Sequence, residues 1–305
     1  MVSCSSDFNF ACSEIFNTIL FLNPAHPISD GFFIVVIQLS VFKIKAISNG
    51  RWFSFMNLES ILSGQTPTSA TIVPASLRQN YVPQGFNSTS SSLTKVLIIA
   101  GEPRKYSLTY DFIYTTMAFL EQQHCQVELR DLYDLNFDPV LRPAEFYYVK
   151  DGQGPVPDYL QQEQRLITQA QILIFAYPNW HDAPVSIVKG YMEKVFAYGF
   201  AYRRGPQGLE GLLTGKQLYT IMNCGYLGGG QGYLHDGLGH NDALWDQYMQ
   251  AFKTFDEDTA HFWGMHNAGR FMNDQSPRNF APDYASQLNR LRATLRQHLQ
   301  RDLLS

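Results

Sequence analysis

The chain has 305 residues, 45% hydrophobic, 14% aromatic and only 16% charged, with a formal net charge of −4 and an isoelectric point near 6.0. That apolar fraction suits a globular protein with a sizeable core and excludes coiled-coil, collagen-like and wholly disordered readings. The mild acidic excess argues against a general nucleic-acid binder. The four cysteines (Cys4, Cys12, Cys125, Cys224), none in a C-x-x-C pair, argue against a disulfide framework or structural zinc, so a soluble protein of the reducing cytoplasm is expected.

Residues 1–94 differ sharply from the rest. They hold 16 serines against five in 95–305, and eight charged residues, four of each sign. Their most apolar run, Gly31 to Phe42, reads as a strand or a loosely packed segment, with a membrane-surface anchor as the less favoured reading; it is too short to span a bilayer. No basic region near residue 1 announces a signal peptide. Residues 63–94, rich in Ser, Thr, Pro, Gly and Asn, read as a flexible linker. No function is assigned to 1–94, and Met56 offers an alternative start.

From residue 95 strands and helices alternate. Lys95–Ala100 (KVLIIA) is a short β-branched run of the kind buried on both sheet faces. Ser107 is placed to cap a helix from Leu108 to about Gln123. Gln126–Asp131 alternates like an edge strand. A long loop with Pro139, Pro143, Gly152, Pro155 and Pro157 leads to a helix from about Tyr159 to Gln169. Ala170–Tyr177 is the third strand, Ala183–Ala197 a helix and Lys216–Met222 the fourth strand. Asn241 caps a helix to about Glu257, His261–Met265 supplies the fifth strand, and Pro282–Leu304 closes as a helix. This alternation predicts an α/β, doubly wound parallel sheet in the flavodoxin-like order 2-1-3-4-5. Ligands of such sheets bind beyond the carboxyl ends of the strands, here at loops Gly101–Ser107, Pro178–Pro184 and Asn223–Asp242.

The first loop enters a helix N-terminus, where free N–H groups attract anions; Arg104, Lys105, Ser107 and Thr109 add donors, and Glu102 repels a phosphate directly above it. An ordinary capped turn explains these residues equally well. Neither G-x-G-x-x-G nor a Walker A pattern occurs. The second loop combines Trp180, His181 and two prolines into a wall suited to a planar heteroaromatic ligand, although Trp180 alone reads as a core lid. In the third, Tyr233, His235 and His240 could donate to a carbonyl being reduced. A metal reading of His235, Asp236, His240 and Asp242 matches no helical ligand pair, and no metal is expected. Cys224 reads as a small, partly buried residue.

Four segments together resemble the flavodoxin-like NAD(P)H:quinone reductases, relatives of the mammalian quinone reductase and of bacterial quinone and azo-dye reductases. They are KVLIIAGEPRKYSLTY, LRDLYDLNFDPVL, YPNWHDAPVSIVKGYMEKVFAYGFAY and GPQGLEGLLTGKQLYTIMNCG, in the family's order across residues 95–305. The resemblance implies a noncovalent flavin, FAD or alternatively FMN. Its phosphates would lie at Glu102, Ser107, Leu108 and Thr109, and its ring against Pro178, Asn179, Trp180, His181, Asp182, Met222, Asn223, Cys224 and Gly225. It further implies NAD(P)H as hydride donor, a quinone as acceptor, a substrate pocket lined by Phe200, Ala201 and Tyr202, a catalytic pair Tyr233 and His240, and a homodimer. The chain departs from the family pattern at Glu102, where His is frequent, at Leu108-Thr109, and at Met222-Asn223-Cys224-Gly225. The alternatives are an FMN-dependent azo- or nitro-compound reductase and a catalytically weakened regulatory subunit. A one-electron carrier fits less well, because its Ser/Thr-rich phosphate loop is absent.

Overall fold

The computed structural model describes residues 34–38, 43–48, 51–57, 85–86, 93–224, 242–273 and 283–305. The chain divides into two compact units, Met1–Gly64 and Gln65–Ser305. The first contains an antiparallel sheet of β1 (Ile34–Gln38), β2 (Lys43–Ser48) and β3 (Arg51–Asn57), with Ile47 opposite both Ile34 and Trp52. The apolar run at Gly31–Phe42 thus forms a strand over Ile34–Gln38.

In the second unit β4 (Lys95–Ala100), α1 (Leu108–Gln122) and β5 (Gln126–Asp131) are followed by α2 (Pro143–Asp151), α3 (Asp158–Gln169) and β6 (Ile172–Pro178). Then come α4 (Ser186–Val195), the hairpin β7 (Tyr202–Gly205) and β8 (Gly208–Gly211), β9 (Gln217–Asn223), α5 (Asp242–Trp263), β10 (His266–Asn273) and α6 (Tyr284–Leu303). The five-stranded sheet runs β5-β4-β6-β9-β10, all parallel, which is the expected order 2-1-3-4-5.

Strand alternation builds both cores. From β4, Val96, Ile98 and Ala100 join Ile174, Ile221 and Phe271 under α1 and α6. Leu97 and Ile99 face the other way and pack with Phe175, Val188, Tyr191 and Trp263 under α3, α4 and α5. Each such fully buried Val, Leu, Ile or Phe side chain contributes about 1.5–3 kcal/mol, so a sheet apolar on both faces is held only with helices on both sides.

The elements depart from expectation in four places. The long loop contains α2, whose signals were Pro143 at its start and Gly152 in the left-handed conformation at its end; the backbone N–H of Arg142 donates to Glu145 Oε2 at 2.9 Å. A hairpin, β7–β8, fills the stretch before β9. α5 continues to Trp263, because Phe252, Asp256, Ala260 and Trp263 form one buried helical stripe that Gly264, with φ 75°, terminates. The fifth strand is therefore His266–Asn273 rather than His261–Met265. Its polar residues hid it, since Arg270 is buried there only because Asp256 on α5 meets it.

Candidate active site at the carboxyl edge of the sheet

Three strand ends converge at the carboxyl edge. After β4, the N–H of Gly101 donates to the Ala176 carbonyl at 2.9 Å, and α4 packs so closely that a Cβ at Gly101 would lie 2.2 Å from Val188. The Glu102 side chain is fully buried and accepts the backbone N–H of Arg104 at 2.9 Å and its Nε at 3.0 Å. Lys105 pairs with Asp131, and with Asp134 at 2.6 Å, while donating to the Tyr110 hydroxyl at 2.7 Å. Burial pushes the Asp131 carboxyl above the usual carboxylate value, against the opposing pull of Lys105. Burial, with Glu102 and Asp131 nearby, likewise raises the Tyr133 phenol.

Both basic side chains expected to meet an anion are thus engaged by carboxylates. What the loop presents is the first turn of α1. Ser107 caps it, its Oγ accepting from the Tyr110 N–H at 3.2 Å, and the N–H groups of Leu108 and Thr109 have no intrahelical acceptor. The Thr109 hydroxyl is buried with no hydrogen-bond partner among the described residues. The pairing with Arg104 also neutralises the charge on Glu102 that argued against a nearby phosphate.

After β6 the backbone turns sharply. His181 and Asp182 both have φ of 56°, forming a type I′ turn whose flanks, Trp180 and Ala183, pair as an antiparallel bridge. Two consecutive non-glycine residues in this region cost on the order of 1–3 kcal/mol each, a strain found mostly where a site over-determines the backbone. The turn leaves Trp180 exposed. Asn179 donates its backbone N–H to the Asn223 carbonyl at 2.8 Å and its Nδ2 to Asp182 at 3.3 Å, yet its buried Oδ1 has no partner among the described residues.

At the end of β9, Met222 is buried and its Sδ accepts from Arg270 at 3.0 Å. Asn273 Nδ2 donates to Asn223 Oδ1 at 2.9 Å, and the Cys224 N–H donates to the Asn273 carbonyl at 2.7 Å. Asn273, Arg270 and Asp256 escaped sequence reading because the strand carrying two of them was placed five residues early.

The structure therefore brings Glu102, Ser107, Leu108, Thr109, Pro178–Asp182 and Met222–Cys224 to one edge. Gly225, Tyr233 and His240 lie outside the described residues. Phe200, Ala201 and Tyr202 lie at the opposite edge, because the ten residues of α4 carry the chain back by about 15 Å. There Phe196 stacks on Trp263 at 3.7 Å, Tyr202 meets the Phe262 ring at 4.4 Å, and Ala201 is fully buried.

The edge fits a flavin. A rigid turn supplies a flat wall, the unpartnered Asn179 Oδ1 can accept a ring N–H, and the unfilled donors of α1 suit phosphate oxygens. The family model described as "Flavodoxin-like fold" matches residues 94–297. The chain belongs to this flavodoxin-like family. Among its relatives an uncharacterized NAD(P)H oxidoreductase of Haemophilus influenzae is 34% identical over 105 residues, covering 34% of this chain and 51% of that protein. NAD(P)H dehydrogenase [quinone] 1 of Cavia porcellus is 29% identical over 151 residues, covering 44% and 54%. The chain spans about half the length of these curated relatives. The solved NAD(P)H:quinone oxidoreductase of Methanothermobacter marburgensis shares the fold at 19% identity and a TM-score of 0.54, covering 70% of this chain and all of that one. The resemblance read from residues 95–305 is upheld at the level of the family. Among the described residues no helix is long and apolar enough to cross a membrane.

Proposed function

We propose that this chain is a flavin-dependent NAD(P)H:quinone oxidoreductase, with a reductase domain over residues 95–305 preceded by a separate Ser-rich segment, 1–94. The observation that carries the reading is the rigid turn Trp180–Ala183 beside the unpartnered buried Oδ1 of Asn179. The names of the matched relatives support the same activity. The chemistry that a flavin, FAD or FMN, supplies here is two-electron transfer between NAD(P)H and a quinone.

The protein's own share is binding and orientation. Leu108 and Thr109 N–H groups hold phosphate oxygens, with Ser107 fixing the turn that presents them. Trp180 walls the ring from water, and Asn179 fixes its edge. Following the resemblance, Tyr233 and His240 handle charge during hydride transfer. Phe200 and Tyr202 face away from the carboxyl edge of their own chain, so they would line the quinone pocket of a second copy; this supports a homodimer, which we place in the cytoplasm.

The test is the visible absorption spectrum after incubation with FAD or FMN and desalting. A retained flavin band that bleaches anaerobically with NADPH and returns on adding a quinone is expected. No retained band overturns the reading. In the loaded protein, Tyr233→Phe and His240→Ala slow flavin reduction or quinone turnover; unchanged rapid kinetics in both would remove them from the site.

A further inference from the structure

Arg270 and Asp256 form a buried ion pair beneath β9, far in sequence from the first two site loops. Arg270 Nε donates to Asp256 Oδ2 at 2.6 Å and Nη2 to Oδ1 at 2.8 Å, with the side chains 9% and 4% exposed. Thr220 donates its hydroxyl to Asp256 Oδ1 at 3.2 Å. The remaining guanidinium nitrogen, Nη1, donates to Met222 Sδ at 3.0 Å. The ring of Phe252 covers the guanidinium carbon at 5.1 Å. The Tyr177 phenol lies against the same guanidinium; its burial pushes it up to about 12, with Arg270 opposing, so it stays neutral.

The pair has a direction. Asp256 holds Thr220, whereas Arg270 holds Met222, two residues nearer the carboxyl end of β9. The positive end therefore points at the rim residues Met222–Cys224, and the negative end towards the middle of the sheet. Stability alone does not account for this arrangement. A buried ion pair returns little more than its desolvation cost, and of the guanidinium's two further partners, the Tyr177 phenol and the Met222 thioether, the thioether is a weak acceptor. A positive charge behind the rim does suit hydride chemistry. A hydride brings two electrons and one proton, so its acceptor gains one negative charge.

We propose that Arg270 is a positioning residue that sets the redox poise of the site, its buried charge behind Met222 favouring the reduced, more negative state of the bound flavin. This rests on the flavin reading above. Asp256 moderates the effect from the far side of the pair, so the two residues act with opposite sign.

The test compares the unmutated chain with Arg270→Gln, Asp256→Asn and the double variant Arg270→Met/Asp256→Leu, each loaded with FMN or FAD. The midpoint potential is read by dye-equilibrated reduction, and the oxidised-flavin dissociation constant by fluorescence. Arg270→Gln weakens the preference for reduced over oxidised flavin by about tenfold, a fall of about 30 mV for a two-electron couple. Asp256→Asn shifts the potential in the opposite direction. If Arg270→Gln does not fold, the double variant supplies the downward shift without leaving a lone buried charge. A merely structural role would loosen the same rim in both single variants and move the potential the same way. Shifts of one sign, or none, in protein that retains flavin overturn the inference and leave the flavin reading standing. A chain that retains neither flavin overturns that reading and this inference with it.

Discussion

Asn273 and Asn223, the last residues of neighbouring strands β10 and β9, are joined side chain to side chain at the sheet's rim, Asn273 Nδ2 donating to Asn223 Oδ1 at 2.9 Å. With Asn179 donating its backbone N–H to the Asn223 carbonyl, three asparagines carry the sheet's hydrogen bonding one step beyond its regular ladder. The rim under the proposed flavin ring is thereby fixed by amides from two strands and the loop after β6. Asn273→Leu removes the side-chain bond and costs about 1–3 kcal/mol in urea unfolding, with weaker flavin retention. Unchanged retention would mean that Asn223 holds its place without this partner.

The turn at His181-Asp182 carries strain that glycine relieves. Asp182→Gly is expected to raise thermal stability by about 1 kcal/mol while weakening flavin binding, since Asn179 loses a side-chain anchor. A calorimetric scan and a flavin titration on the same sample give both numbers. Stability and affinity rising together would contradict a strained functional turn.

Gly190, in the K-G-Y segment of α4, lies where a Cβ would come within 2.2 Å of the Pro139 carbonyl oxygen. That contact is with backbone, so neither side yields without moving the loop after β5. Gly190→Ala is expected to destabilise by about 1–3 kcal/mol, measured by denaturant unfolding. A neutral result would show that this loop is free to move away from α4.

Glu145 supplies a pH dependence. Burial opposes its ionisation, yet the Tyr159 hydroxyl, the Arg142 N–H at 2.9 Å and buried Lys194 at 3.1 Å together hold its carboxyl below the usual glutamate value of 4.5. A carboxyl lowered on folding stabilises the protein above 4.5 and loses that contribution as pH falls through its folded value. Glu145→Gln should therefore cost about 1–2 kcal/mol at neutral pH, the gap from the unmutated protein narrowing below pH 4.5. Urea midpoints across this range check it, and a gap that persists at the acid end would place the effect in packing.

Tyr202 tests the two-fold reading. Tyr202→Ala is expected to raise the quinone KM with flavin retention unaltered, because Tyr202 lies at the edge opposite the loops that would hold its own chain's flavin. An unchanged KM would detach this segment from the acceptor pocket.

Much of the fold was legible because strands buried on both faces must be apolar throughout. Lys95–Ala100 and Ala170–Tyr177 announced themselves in this way, and Ser107 announced the helix that follows β4. β10 was not legible: Arg270 reads as a surface residue until Asp256, fourteen positions earlier, is brought against it. α2 was missed although Pro143 and Gly152 framed it, because the proline-rich stretch around it outweighed both signals.

The sequence by itself determined the α/β alternation, the strand order and the loops that gather at the carboxyl edge, since these follow from local periodicity and from the handedness of crossover connections. Only the tertiary structure decided that Arg104 and Lys105 turn to carboxylates rather than to a ligand, that Phe200–Tyr202 faces the far edge, and that a buried cation stands behind Met222. Such arrangements depend on partners distant in the chain, and desolvation and pairing are settled only once those partners are in contact.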